Sequence, residues 1–257
     1  MKRLTIDDLA SIKLNHGKHY GADEGHCLPE VVSMFAGEAF SDHPACVDSV
    51  LAAFGMSWND GMRSDDERSQ LKQYVAHLVG TKKSPELSQK RGWMAMDWLV
   101  RVHCAAWLVL NPELAHHAEM LKSLPAITCV AELVAAQPRL DAARVDSRAA
   151  WAAARAAAGD AAWAAAGDAA WAAARAAAGD AAGAAAWAAA QAAAGDAAWA
   201  AAGDAAWAAA WAAAQAAAGD AAWAAAGDAA GDALEPTVKE LQASAHDLFS
   251  RMIDAEE

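Results

Sequence analysis

The sequence predicts an all-α protein in three stretches. These are an N-terminal helical domain (1–146), an alanine/tryptophan tetrapeptide array (147–234) and a C-terminal amphipathic helix (235–257). Three observations carry this expectation. Capping residues and N1 prolines punctuate the first stretch at helical spacing. No alternating strand pattern appears. From Trp151 to Leu234 the chain is 21 consecutive tetrapeptides rich in alanine, the strongest helix former.

In chain order, helices are expected over 5–13 and 28–37. Asp42-His43-Pro44 should open a helix carrying Cys46, Val47, Val50, Leu51 and Phe54, which Asn59-Asp60-Gly61 ends. Ser64-Asp-Asp-Glu67 is a capping box, followed by Leu71, Tyr74, Val75 and Leu78 at helical spacing. Ser84-Pro85-Glu86 and Asn111-Pro112-Glu113 each put an N-cap before an N1 proline, so helices are expected over 86–109 and 113–123, with another over 129–136. Trp93, Trp98 and Trp107 fall within one of these helices and read as core, as do Cys104 and Cys129 among apolar neighbours. Thr237-Val-Lys-Glu240 should cap the last helix, whose Val238, Leu241, Leu248, Phe249, Met252 and Ile253 share a face for docking on the bundle or on a second subunit.

The array has its own logic. The first position of each tetrad is Trp eight times, Gly nine times, Arg twice and Gln twice, and Asp occurs only directly after Gly. A step of four residues overshoots the helical turn, so the stripe rotates by about 40° per tetrad. A straight helix, which would span about 126 Å, therefore cannot bury every tryptophan against one flat partner. Either a right-handed superhelix follows the drift, or Gly-Asp pairs break the helix, with Gly ending one segment and Asp capping the next. Broken helices packed on each other are the preferred expectation. A buried Trp removes roughly 200 Å² from water, worth several kcal/mol at about 25 cal/mol/Å². Trp151, Trp163, Trp171, Trp187, Trp199, Trp207, Trp211 and Trp223 thus need cover, from the chain itself, from another copy or from a partner protein.

Charge and composition exclude several function classes. The formal net charge is −13, and the array alone carries two Arg against eight Asp, which disfavours nucleic acid and anionic membranes as partners. Asp residues eight apart on a helix sit about 12 Å apart, against about 7 Å between phosphates, so mimicry of DNA is disfavoured too. No window is long and apolar enough for a transmembrane helix, and Met1 to Gly17 has no apolar core of a signal peptide. Four cysteines in 257 residues suit a reducing compartment. The expectation is a soluble cytoplasmic protein.

Chemistry, if present, sits between His16 and Cys46. His16 and His19 are spaced H-x2-H and His43 and Cys46 are spaced H-x2-C, a set that could hold a tetrahedral zinc, with His26 nearby. Satisfied polar histidines are the competing explanation. Cys27 precedes Leu-Pro-Glu-Val-Val at a helix start, where a thiolate is stabilised, so with a histidine as base it could serve as a nucleophile. A small buried residue is the plainer reading of it. His116-His117 lies on an expected exposed helix, and because adjacent side chains diverge it is discounted as a site.

The stretch HGKHYGADEGHCLPEVVSMFAGEAFSDHPACVDSVLAAFGMSWNDGM, with the later WMAMDWLVR and the alanine/tryptophan tail, resembles a group of uncharacterised proteins of bacteria and their phages. The likeness covers most of residues 1–110 and implies a phage or mobile-element accessory setting, with no activity and no catalytic residue attached. The tail alone bears a looser likeness to bacterial immunity proteins. The leading expectation is a non-enzymatic assembly or protein-binding chain, whose partner is itself or a host protein that it blocks. The rival is a small zinc- or thiol-dependent enzyme with its site in the His16–Cys46 segment.

Overall fold

A computed structural model describes residues 4–150 and 228–257. Among the described residues all regular structure is helical, and no helix is long and apolar enough to cross a membrane. The eight stripe tryptophans, and with them the choice between a continuous and a broken array helix, lie outside the described residues.

Local chemistry sets the helix starts. α1 (Ile6–Ser11) opens with a reciprocal capping box between Thr5 and Asp8. α2 (Leu28–Ala36) carries Pro29 in its first turn and ends at Gly37, whose φ of 78° is the left-handed conformation that glycine adopts without strain. α3 (Ser49–Gly61) begins seven residues beyond Asp42, the start expected from Asp42-His43-Pro44. Its cap is Asp48, whose carboxylate accepts from the Val50 and Leu51 N–H groups at 3.0 and 3.3 Å. The same buried carboxylate pairs with Arg91 at 3.1 Å, which makes it the more strongly held cap. Ser64 caps α4 (Asp65–Arg68), and the chain continues through a 3₁₀ turn, Ser69–Tyr74, into α5 (Val75–Leu78).

Ser84 caps α6 (Pro85–Trp98), which runs on through a π-helical segment, Leu99–Cys104, into α7 (Ala105–Leu108). Trp93, Trp98 and Trp107 are core residues on this run. Asn111-Pro112-Glu113 forms a turn rather than a helix start, with Asn111 Oδ1 accepting from Glu113 N at 2.9 Å, and α8 (Ala115–Lys122) follows it. Residues 130–150 form α9. That helix passes straight through Pro138, where the sequence pattern ends it at 136. An interior proline costs about 3 kcal/mol. Burial of Leu133, Ala136, Leu140, Ala143 and Ser147, spaced three or four apart, offsets it. Cys129, expected in the core, is exposed at the start of this helix.

The C-terminal helix α10 (Asp228–Ile253) starts inside the last tetrads and contains Pro236, so Thr237 lies within it and does not cap it. It docks on the bundle. Phe249 stacks on Phe54 with centroids 5.4 Å apart and meets Tyr74 edge-on at 4.9 Å. Gly55 of α3 permits that approach, because a Cβ there would sit 3.0 Å from Leu28 Cδ2 and 3.3 Å from Phe249 Cζ. Arg91, buried on α6, donates Nε to Met252 O at 2.8 Å and Nη1 to Thr81 O at 2.8 Å. It thereby satisfies a carbonyl at the end of α10 that the helix itself leaves open. Trp98 Nε1 donates to Ser244 Oγ at 3.0 Å, and Tyr74 shares a 2.8 Å hydrogen bond with His246 Nδ1. Both chain segments that border the array are therefore parts of one core.

Candidate functional site

The loop between α1 and α2 is fastened to the C-terminal end of α3 by polar contacts. Asn15 N donates to His26 O at 2.7 Å, and Gly17 N to Asp60 Oδ1 at 2.8 Å. Asn59, wholly buried, donates Nδ2 to Asn15 O at 2.8 Å and accepts from Leu28 N at 3.3 Å. Arg68 closes the end of α3 by donating to Asn59 O at 2.9 Å and Met62 O at 2.7 Å.

At the centre of the loop is Glu30, a carboxylate with no solvent exposure. Oε1 accepts from His19 N at 2.8 Å, while Oε2 meets His19 Nδ1 at 2.8 Å and Cys27 N at 2.7 Å. Three donors compensate for burying the carboxylate. Gly25 lets the His19 ring sit there: its φ is 139°, and a Cβ would lie 2.6 Å from His19 Nε2. His26 stands edge-on to Phe40 with centroids 6.2 Å apart, and burial draws its pKa below the ordinary histidine value.

Cys27 does sit at the N-cap of α2, yet it is buried. Burial pushes its thiol far above the ordinary cysteine range, and the Glu30 carboxylate beside it adds to the shift. Burial and a raised pKa both make the thiolate that a nucleophile needs harder to form. Burial likewise raises the Cys46 thiol, and its hydrogen bond to Glu38 works in the same direction.

The structure does not gather His16, His19, His43 and Cys46 into one site. His19 is committed to Glu30 and Cys46 to Glu38, while His16 and His43 are exposed on separate loops. Among the described residues, the side chains whose ligand atoms come within 4.8 Å of one another as a metal-type group are His116, His117 and Asp146.

Two of its members are the histidine pair discounted from sequence. Of that pair His117 is buried and His116 exposed, and Asp146 is exposed as well. Their rings lie 3.9 Å apart and tilted by 39°, because α8 starts so late that both fall in its first turn beside α9. His117 Nε2 is 2.7 Å from Asp146 Oδ2, and His116 Nδ1 is 3.0 Å from Glu113 O. The sequence held one signal for this: paired histidines flanked by Glu113, with an acid 29 residues on. Only the packing of α8 on α9 turns it into a cluster.

Two further features lie outside this cluster. His103, on the π segment, accepts from Trp107 Nε1 at 3.2 Å, and burial lowers its pKa to about 3. A cleft of about 840 Å³ between α6 and the start of α9 is lined by Trp93, Met94, Trp98, Arg101, Ile127 and Cys129 among others. Compared with known protein families, curated proteins and solved structures, the chain matches none.

Proposed function

We propose that this is a cytoplasmic, non-enzymatic assembly protein in which the bundle holds out the tetrad array for contact with a second copy of the chain. The observation that supports the reading is the rooting of the array at both ends. On the entry side Leu140, Ala143 and Ser147 are buried, and on the exit side Leu234, Val238 and Leu241 are buried in the same core. The repeat is thus an insertion fastened twice to one folded body, and its eight tryptophans need a partner surface. Alanine and glycine positions between them let backbones approach closely, so the best-matched surface is another array. The fate of the His16–Cys46 segment points the same way. Its polar side chains hold a loop to α3, and burial raises the pKa of the Cys27 and Cys46 thiols.

Light scattering of the full chain across a tenfold concentration range tests this. The expected mass is a multiple of 26.6 kDa. Replacing Trp171, Trp187, Trp199 and Trp211 together by alanine should return it to a single copy with the helical circular dichroism kept. A single-copy mass for the unaltered chain at every concentration would overturn the proposal.

A further inference from the structure

We infer that His116, His117 and Asp146 form a binding site for one divalent transition-metal ion of the zinc class, clamping α8 to the helix that leads into the array. His116 Nδ1 lies 3.0 Å from the Glu113 carbonyl, which can only accept, so Nδ1 carries the proton and Nε2 keeps its lone pair. Metal-ligating histidines are commonly oriented in this way, by a carbonyl holding the far ring nitrogen. Next along α8, His117 Nε2 sits 2.7 Å from Asp146 Oδ2. An ion entering here takes His116 Nε2, His117 Nε2 and the Asp146 carboxylate; the neutral His117 ring then keeps its one proton on Nδ1, and any further proton held between Nε2 and Asp146 is released to solvent.

One ligand atom from each of the three side chains lies within 4.8 Å of one from each of the others, a spacing that bonds of about 2.0–2.2 Å can close by side-chain rotation. Two imidazoles and one carboxylate favour zinc and its late first-row neighbours over calcium or magnesium, which prefer oxygen alone. Three protein ligands leave a fourth position for water, and the exposed His116 and half-exposed Asp146 give an ion a path in.

A second observation points to the same place. Among the described residues, His117 Nδ1, Arg144 Nε and Ser147 Oγ are buried with no hydrogen-bond partner, and His103 Nδ1 is the remaining such atom. Three of these four lie on α8 or within two residues of Asp146 on α9. None of the three is itself a ligand; together they mark the contact between α8 and α9 as the part of the described core where polar groups are least satisfied. Asp146 stands five residues before Trp151, so the ion would fix the direction in which the chain leaves the bundle.

The experiment strips the full chain with a chelator and titrates zinc in competition with a chromogenic chelator, following the melting temperature in parallel. One zinc per chain is expected, with a rise in melting temperature on binding. His116→Ala and Asp146→Asn, both at exposed or half-exposed positions, should each weaken binding about tenfold or more and remove the thermal shift. Joint replacement of His16, His43 and Cys46 by alanine should leave both readouts unchanged. The inference is overturned by an absence of stoichiometric zinc, by binding that survives His116→Ala, or by binding lost with the N-terminal replacements. None of these outcomes depends on whether the array assembles.

Discussion

Two histidine–carboxylate pairs of nearly equal length have opposite burial. In His19–Glu30, at 2.8 Å, the carboxylate is wholly enclosed and the His19 side chain is 11% exposed. In His117–Asp146, at 2.7 Å, the histidine is 4% exposed and the carboxylate 53%. In the first pair Glu30 answers three donors at once, so the loop between α1 and α2 cannot keep its shape without it. In the second pair the carboxylate can exchange its partner for water or an ion at little cost. Short contact length is shared; the side of the contact from which water is excluded decides whether a pair is structural or available.

The largest expected effect follows from that contrast. Glu30→Ala strands three donors in the core and should cost about 3 kcal/mol or more in urea unfolding. A loss under about 1 kcal/mol would mean that the loop is held by Asn15 and Asn59 alone. Acid is the next probe. His103 is kept neutral by burial, with its pKa lowered from 6.5 to about 3, so between those values the unfolded chain binds a proton that the folded chain refuses. Stability from this group is complete above about pH 6.5 and falls as pH drops towards 3, by roughly 2 kcal/mol on reaching about pH 5. His103→Phe should flatten that slope, and an unchanged slope would assign it to other groups.

Gly25→Ala meets both a positive φ and the His19 ring, and should cost about 1–2 kcal/mol while displacing the His19 resonances in NMR. The smallest change is expected at the second pair. Asp146→Asn in metal-free protein should shift stability by less than about 1 kcal/mol, because water reaches that carboxylate. A penalty as large as that of Glu30→Ala would erase the distinction between the pairs.

Individual residues show why the site was only partly legible. The placement of Cys27 at a helix start could be read from Leu-Pro-Glu after it. Its reactivity could not, because the raised thiol pKa comes from burial under residues far away in sequence, with Asn59 and Asp60 of α3 at the loop's back. The spacing of His16, His19, His43 and Cys46 resembled a ligand set. Spacing carries no information on which carboxylate each side chain finds first, and Glu30 and Glu38 take two of the four. The reasoning that set His116-His117 aside holds for a free helix surface, and α9 packing against α8 removes that condition.

For the fold, local sequence determined what local physics controls. Thr5, Ser64 and Ser84 cap helices because a side-chain oxygen satisfies an orphan N–H within three residues, and no distant partner is needed. Tertiary structure decided wherever a local signal competed with burial. Asp48 rather than Asp42 opens α3 because Arg91 reaches it from α6. Helices α9 and α10 continue through Pro138 and Pro236 because each presents an apolar face to the core, and that burial exceeds what a missing backbone hydrogen bond costs. The docking of Phe249 and Met252 beside Phe54 and Arg91 joins residues some 160 to 195 positions apart, a closure that short-range pattern cannot express.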